Sequence, residues 1–243
     1  MKSVKGGVAA VVALGWVLLA GSPASAEWFA DVFVGPTFTQ SQDVKADSGA
    51  GRGTFLDVEF DTGVAYGGRF GRYFDGLPFL GVAVDYFNFS SDISRQSVQL
   101  QGCFTVSGCG VNGPGSSGSF DLSTIALSVD LMLRLPLFKT ADAPQGRVQP
   151  YLMVGLPVYI TTVTPRRTTD FRAHHSDTNV EIGYTAGAGI AFHVYKNLAL
   201  FGEYRFNHVK VEADLEDSVS ASKSTFKTDL DNHSALIGIS ARW

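Results

Sequence analysis

The amino-acid sequence predicts an all-β protein, an eight-stranded antiparallel up-and-down transmembrane β-barrel. Three observations predict this fold. Long segments alternate apolar and polar side chains, which is the pattern of a strand. The segments number eight, an even count as in single-chain barrels of the bacterial outer membrane. The links between them are alternately short and long.

Composition excludes other classes of protein. Charged residues make up 17% of the 243 residues and the net charge is −4, whereas soluble domains carry roughly 25% charged residues. The low charge excludes a disordered chain and an acidic or basic tail. Basic residues do not cluster as nucleic-acid binding requires, so we expect no nucleic-acid partner.

The first 26 residues have the three parts of a signal peptide. Lys2 and Lys5 supply a positive start, residues 8–20 are apolar, and residues 24–26 read Ala-Ser-Ala, an A-x-A cleavage site. We therefore expect residues 1–26 to be removed and residues 27–243 to form one barrel domain. No apolar run of 18 residues follows, so we expect no transmembrane helix.

The clearest strand covers residues 124–135. Its odd positions are all apolar: Ile125, Leu127, Val129, Leu131, Leu133 and Leu135. Its even positions include Ser128, Asp130 and Arg134. Ordinary strands run about 5–6 residues, whereas a tilted strand that crosses a membrane needs about 9–11. This segment is long enough to cross.

Seven further segments repeat the pattern. In chain order they are residues 28–38 (Val32 and Val34 against Asp31), 60–73 (Tyr66 and Phe70 against Arg69), 80–89 (Val84 and Tyr86 against Asp85), 151–162 (Leu152, Val154 and Leu156 on one face), 180–194 (Ile182 and Tyr184 against Glu181), 198–208 (Leu200 and Tyr204 against Glu203 and Arg205) and 230–243 (Ile237 and Ile239 against Ser234 and Arg242).

The links between the segments predict the orientation of the barrel. Short links cover residues 74–78, 136–149 and 195–197, and long polar links cover residues 39–59, 90–119, 164–179 and 209–229. Outer-membrane barrels have short periplasmic turns and long external loops. We therefore expect both termini in the periplasm.

Aromatic residues near the strand ends predict two belts at the membrane interfaces. The expected periplasmic belt is Trp28, Tyr73, Phe74, Phe79, Phe138, Tyr151, Tyr195 and Trp243, and the expected outer belt is Phe38, Phe60, Phe89, Phe120, Tyr159 and Phe206. A soluble lipocalin-like barrel is the alternative. It would turn the apolar faces inward and the charged faces outward. This inversion is costly for the present sequence, because nearly every strand carries Asp or Arg on its minority face and the ligand cavity would then lie outside the barrel.

The last quarter of the chain resembles a known family. Residues 183–192 (GYTAGAGIAF), 201–206 (FGEYRF) and 232–243 (NHSALIGISARW) resemble the small outer-membrane β-barrels of Gram-negative bacteria, which include the transmembrane domain of OmpA and the opacity-type surface proteins. The resemblance implies an outer-membrane location. It also implies a terminal signal for the barrel-assembly machinery, here Ile237, Ile239 and Trp243. We expect no peptidoglycan-binding domain after the barrel, unlike in OmpA.

Charged residues on the minority faces predict an ionic interior. The expected inward charges are Asp31, Arg69, Asp85, Asp130, Arg134, Glu181, Glu203, Arg205 and Arg242. An eight-stranded barrel is only wide enough for side chains to fill, and buried charge is tolerated when it is paired. We expect a structural charge network, with a narrow hydrated path as the alternative.

The sequence offers only weak candidates for catalysis or metal binding. His233 and Ser234 are adjacent, so in a strand they point to opposite faces. Residues 174–177 read His-His-Ser-Asp and resemble the His-x-Ser pair of outer-membrane lipid A deacylases, which is followed there by Asn where this chain has Asp177; a loop rich in small polar residues is the favoured explanation. They lack a recognised metal spacing. We expect no enzyme activity, no cofactor and no metal.

Two features stand out in the long links. Cys103 and Cys109 are the only cysteines, and an exported chain passes an oxidising compartment, so we expect a disulfide. Arg166, Arg167 and Arg172 lie just past a strand end. They could contact phosphates of lipopolysaccharide, or they could simply be solvated.

Fold and location constrain function only weakly, because these barrels serve as adhesins, plugs, pores and enzymes. The long links favour a structural or surface-interaction role with an unknown extracellular ligand. Outer-membrane lipid and lipopolysaccharide are expected partners, with the assembly machinery during biogenesis. A narrow porin-like pore for small solutes is the alternative, and a lipid-modifying hydrolase is a third hypothesis.

Overall fold

The computed structural model describes residues 27–48, 51–104, 108–139, 145–166, 177–216 and 223–243, so the predicted signal peptide lies outside it. The described residues form fourteen strands: β1 (Trp28–Thr39), β2 (Gln42–Ser48), β3 (Gly51–Val58), β4 (Gly63–Tyr73), β5 (Leu80–Ser90), β6 (Ser97–Phe104), β7 (Gly108–Ser116), β8 (Phe120–Arg134), β9 (Val148–Gly155), β10 (Val158–Pro165), β11 (Asp177–Ile182), β12 (Tyr184–Tyr195), β13 (Leu198–Glu216) and β14 (Lys223–Arg242). Within these ranges, no helix is long and apolar enough to cross a membrane.

Eight of these strands close into a ring. The antiparallel order is β1–β4–β5–β8–β9–β12–β13–β14, and β14 pairs again with β1. β10 and β11 continue β9 and β12 in unchanged register, since Gly155 pairs with Thr185 and Val158 with Ile182. The interruption falls at Pro157, which has no amide hydrogen to donate to a ladder. The predicted eight-stranded antiparallel barrel is confirmed.

Side chains alternate around the ring with the apolar face outward. In β1, Val32 and Val34 are 63% and 49% exposed on the outside, whereas Asp31 and Phe33 between them are buried inside. A soluble barrel would show the opposite arrangement. Outward apolar side chains are what a surface in contact with lipid requires.

Strands also form where the sequence predicted polar links. β2, β3, β6 and β7 lie in the first two long links, and β13 and β14 continue into the fourth link as one hairpin. The sheet runs from β14 through β2, β3 and β6 to β7. β14 has 20 residues, so it is about 65 Å long at roughly 3.3 Å per residue. This is about twice the thickness of the hydrocarbon core of a membrane. We call β2, β3, β6, β7 and residues 209–216 and 223–230 the cap. It lies at the end of the barrel remote from the chain termini.

The predicted aromatic belts are partly wrong. Phe38, Phe79, Phe138, Tyr195 and Trp243 are exposed on the outside. However, four predicted belt residues are buried, namely Tyr73, Phe89, Tyr151 and Tyr159. They occupy the same alternating positions as the inward charges, and this parity places their rings inside the barrel. Phe60 and Phe120 pack against the buried apolar core.

Candidate functional site

A cluster of five ionic residues fills the centre of the barrel: Asp31, Arg69, Asp85, Glu203 and Arg205, which we call the central ion cluster. Nε of Arg69 donates to Oδ2 of Asp31 at 3.0 Å, and its Nη2 donates to Oε2 of Glu203 at 3.0 Å. Arg205 donates two parallel hydrogen bonds to Asp85, at 3.1 and 3.0 Å, and a third from Nε to Glu203 at 2.9 Å. Glu203 therefore joins the two arginines.

Aromatic rings surround this cluster. The Arg205 guanidinium lies 4.7 Å from the ring centroid of Phe33 and 4.5 Å from that of Phe87. The hydroxyl of Tyr151 donates to Glu203 at 2.7 Å. The rings fit because some inward positions are glycine: a Cβ at Gly238 would lie 2.4 Å from Cζ of Phe201. Charge, ring faces and hydrogen bonds together fill the interior at this level.

A second cluster, the mouth cluster, lies at the end of the barrel near the termini and comprises Glu27, Arg134, Gln149 and Arg242. Glu27 is buried and bridges the two arginines, with an ion pair to Arg134 and a 3.5 Å contact to Arg242. Gln149 accepts hydrogen bonds from both guanidinium groups. Arg134 also lies 3.6 Å from the ring centroid of Tyr73. Sequence reasoning missed Glu27, because it precedes the first alternating segment.

Two predicted lumen charges behave differently from the others. Asp130 is fully buried and accepts a hydrogen bond from the Ser128 hydroxyl at 2.6 Å. No described cation lies within ion-pair distance of it. The prediction for Glu181 is wrong, since this residue is exposed. It lies in β11, above the start of β12, and β11 pairs only with β10, so its inward face is not enclosed by the ring.

A neutral polar layer separates the central ion cluster from the cap. Nδ2 of Asn232 donates to the Thr37 hydroxyl at 2.7 Å, and the Tyr159 hydroxyl donates to Oδ1 of Asn207 at 3.2 Å. All four of these residues are buried to within 1% exposure. The layer closes the barrel interior toward the cap.

The interior of the cap is apolar. Six buried side chains form it: Val58, Val211 and Leu230 come from the cap, and Ile93, Leu122 and Val163 come from the neighbouring link and strands beneath it. The rings of Phe120 and Phe226 meet across it with centroids 6.2 Å apart. Two small cavities, of about 160 and 60 Å³, adjoin this ring pair.

The outer face of the cap is charged and carries the disulfide. Arg52 donates to Asp47 at 2.8 Å, and Lys227 forms an ion pair with Glu212 at 2.8 Å. These strands line an open groove of about 510 Å³. Cys103 and Cys109 form a disulfide that joins β6 to β7.

Arg166 is held by carboxylates of its own chain. It forms ion pairs with Asp121 and, at 3.1 Å, with Asp92. The hydrogen bond to Asp121, together with the charges of both aspartates, raises the pKa of the Arg166 guanidinium above its usual value. Arg167 and Arg172 lie outside the described residues.

The comparisons with known proteins give the family. A family model described as the outer membrane protein β-barrel domain matches residues 11–242. The chain belongs to this family. No curated protein sequence matches the chain.

Solved structures of outer-membrane barrels share the fold. The outer membrane protein OprG from Pseudomonas aeruginosa is 12% identical with a TM-score of 0.56, and the match covers 90% of this chain and 96% of OprG. The outer membrane protease OmpT from Escherichia coli is 8% identical with a TM-score of 0.55, covering 91% of this chain and 99% of OmpT. At these identities the likeness concerns the fold alone.

In this outer-membrane barrel, the predicted assembly-signal residues lie on the outer surface beside the closing seam. Ile237, Ile239 and Trp243 are 71%, 47% and 57% exposed. The backbones of Trp28 and Trp243 exchange two hydrogen bonds, of 2.9 and 3.1 Å, which complete the seam.

The weak catalytic and metal candidates stay apart. The His233 ring faces outward and pairs with the Tyr204 hydroxyl at 2.5 Å, whereas Ser234 is buried inside. Residues 174–176 lie outside the described ranges, and Asp177 begins β11. Among the described residues, no group of three or more His, Cys, Asp or Glu side chains could hold a metal ion.

Proposed function

We propose that this protein is a non-enzymatic outer-membrane barrel whose cap faces the outside of the cell and acts as an interaction surface, with both termini in the periplasm. The observation that carries this proposal is the cap itself. Closing an eight-stranded ring needs only short turns, yet the chain devotes four complete strands and half of a long hairpin to this end. A disulfide constrains the turn of the β6–β7 hairpin within the cap.

The filled interior favours a structural role for the membrane-spanning part over the pore hypothesis. The mouth cluster, the central ion cluster and the neutral polar layer occupy successive levels of the lumen. An ion would have to break paired, buried contacts at each level, and breaking such a contact costs several kcal/mol. We expect no stable single-channel conductance in planar bilayers. Regular conductance steps would support the pore instead.

The enzyme hypothesis has one point in its favour, the shared fold with a protease. A fold does not transfer an activity. The third hypothesis, a lipid-modifying hydrolase, depends on residues 174–177. Mass spectrometry of lipid A from cells that express the protein tests it directly. An acyl-chain loss that disappears in Ser176→Ala would overturn the non-enzymatic proposal.

Lipid, lipopolysaccharide and the barrel-assembly machinery belong to the proposal as partners. Arg166 is already neutralised by Asp92 and Asp121, so a phosphate would have to compete with them. Arg167 and Arg172 remain proposed contacts. The extracellular ligand is a molecule recognised by the charged outer face of the cap.

Labelling of intact cells tests the orientation. Gln101→Cys places a thiol on the exposed face of the cap, and Asp75→Cys places one in the exposed turn between β4 and β5. Both variants are made with Cys103 and Cys109 replaced by Ser. A membrane-impermeant maleimide should label only Gln101→Cys in intact cells, and both variants after lysis. Labelling of only Asp75→Cys in intact cells would invert the proposed topology.

A cap-deletion variant tests the interaction role. A short turn replaces residues 41–60, which removes β2 and β3, and the shortened barrel is purified beside the full chain. Both proteins should migrate as folded barrels. Only the full chain should capture a ligand from defined arrays of bacterial and host glycans and peptides. Equal capture by the two proteins would remove the cap from the function.

A further inference from the structure

A partly open apolar chamber lies at the base of the cap. Its larger part, about 160 Å³, lies beside Val58 and Phe55, and its smaller part, about 60 Å³, lies beside Leu122 and Val211. Four residues line both parts: Val44, Ile93, Phe120 and Phe226. The two cavities are therefore neighbours, and the Phe120–Phe226 ring pair stands at their junction.

The few polar groups in the lining have partners within the protein. The Thr228 hydroxyl donates to the Asp43 carbonyl at 3.3 Å, and the Ser117 hydroxyl donates to the Gln96 carbonyl at 3.4 Å. The Ser116 hydroxyl donates to the Ser117 carbonyl at 3.4 Å. A water in the chamber needs two to four polar partners, and a cavity without them stays dry.

The size of the chamber identifies the class of ligand. An apolar cavity of about 150 Å³ in another protein binds benzene and xenon. A chamber of similar size accepts one six-membered ring or a short alkyl chain. Ser116, at the end of β7, and Ser117 and Gly118, in the link between β7 and β8, also line the larger cavity.

We propose that the cap binds a small apolar molecule, one ring or a short alkyl chain, in the chamber beside the Phe120–Phe226 ring pair. Binding does not lead to passage through the barrel. The neutral polar layer and then the central ion cluster lie between the chamber and the far end of the barrel. Both layers are polar, so an apolar ligand gains no favourable contacts there. The site is a receptor for the molecule, and it goes beyond the proposed surface role.

The test uses methyl-labelled full-length mature protein in lipid nanodiscs, titrated with benzene. Benzene also enters lipid, so the readout must be specific to residues. The methyl groups of Ile93, which line both cavities, should shift and saturate. Those of Ile237, which is 71% exposed on the lipid-facing side, should drift linearly with the benzene content of the lipid. A linear drift at Ile93 as well would overturn the proposal.

A filling variant and a matched control complete the test. Val44→Phe adds a ring to both cavities and should weaken benzene binding at Ile93 at least tenfold. Val34→Phe makes the same change on the lipid-facing side and should leave binding unchanged. Val58→Leu fills only the larger cavity, and it serves if Val44→Phe does not fold. Unchanged benzene affinity in a folded filling variant would overturn the proposal. The absence of saturable binding in the unmodified protein would also overturn it, since it would mean that the chamber is already filled by another segment of the chain.

Discussion

The interior of the barrel and the interior of the cap have opposite chemistry, although two strands, β13 and β14, run through both. At ring level, β13 points Glu203 and Arg205 inward and Tyr204 outward. Above residue 208, the same strand points Val209 and Val211 inward and Lys210 outward. The alternation of inward and outward positions continues without a shift along the strand, but the chemistry of both faces changes.

The difference teaches that the surroundings decide where polar side chains can go. In lipid, the outward face must be apolar, so the polar side chains of the ring lie inside, where they pair with one another. In water, the hydrophobic effect places apolar side chains inside. The cap is therefore packed like a soluble domain, and the ring is its inverse.

Removing a charge from the ring interior should have the largest effect. Arg205→Ala leaves Asp85 and Glu203 buried with fewer partners, so we expect the free energy of unfolding to fall by about 3–5 kcal/mol. Urea unfolding in lipid vesicles measures it. Arg52→Ala in the cap removes an exposed ion pair and should cost less than about 1 kcal/mol. Equal losses would erase the distinction between the two regions, and a loss below about 1 kcal/mol for Arg205→Ala would indicate a hydrated lumen.

Truncating an apolar side chain of the cap interior should cost nearly as much. Leu230 is fully buried, and Leu→Ala in a packed core costs about 2–5 kcal/mol. Lys210→Ala, on the outer face of the same hairpin, should change stability by less than about 0.5 kcal/mol. Hydrogen exchange of the cap amides in nanodiscs reports both. If Leu230→Ala left the exchange unchanged, the cap would not be a packed core.

Breaking the disulfide should affect the cap alone. The chain-entropy relation gives about 2–2.5 kcal/mol for so short a loop. Replacing Cys103 and Cys109 by Ser should therefore raise amide exchange in β6 and β7, while the ring strands stay protected. The oxidised and reduced wild-type protein provide the matched pair. Faster exchange in the ring would mean that the two regions unfold together.

Deleting Trp243 should have the smallest effect on stability, about 1 kcal/mol, since its side chain is more than half exposed and it makes only two backbone hydrogen bonds at the seam. Its effect on assembly should be greater, because the family resemblance implies that the assembly machinery reads this end of the chain. Heat-modifiable gel mobility compares folded barrel from cells with barrel refolded in detergent. Normal accumulation in cells would contradict the signal role, and equal loss in both would reduce Trp243 to a stabilising residue.

Much of the ring could be predicted because alternation is a local property of the sequence. The inward positions of Asp31, Arg69 and Arg205 follow from parity alone. Parity does not report height along the barrel, which is why Glu181 was placed inside by the pattern and is exposed in the structure. A different criterion, position near a strand end, predicted Tyr73 and Tyr151 in an aromatic belt, whereas their alternating positions agree with the buried rings of the structure.

The cap could not be predicted because some of its strands have loop-like sequences and because its hairpins are joined by pairings distant in sequence, β14 with β2 and β3 with β6. β7 reads as Gly-Cys-Gly-Val-Asn-Gly-Pro-Gly-Ser, a composition typical of a loop. It becomes a strand by pairing with β6, which in turn pairs with β3. Glu27 was missed because it precedes the first alternating segment, and its partners Arg134 and Arg242, far along the chain, give no local signal for it.

The closing seam has a consequence for the order of folding. The β13–β14 hairpin pairs residues as near in sequence as Glu216 and Lys223, whereas β1 and β14 pair Phe29 with Arg242, more than two hundred residues apart. Closing a loop of that length costs about 5 kcal/mol of chain entropy on the logarithmic scale, and local contacts form much faster than distant ones. We therefore expect the C-terminal hairpin to nucleate early and the β1–β14 seam to form last. Until then, both seam strands expose unpaired edges, and the half-built sheet is open to association with other chains.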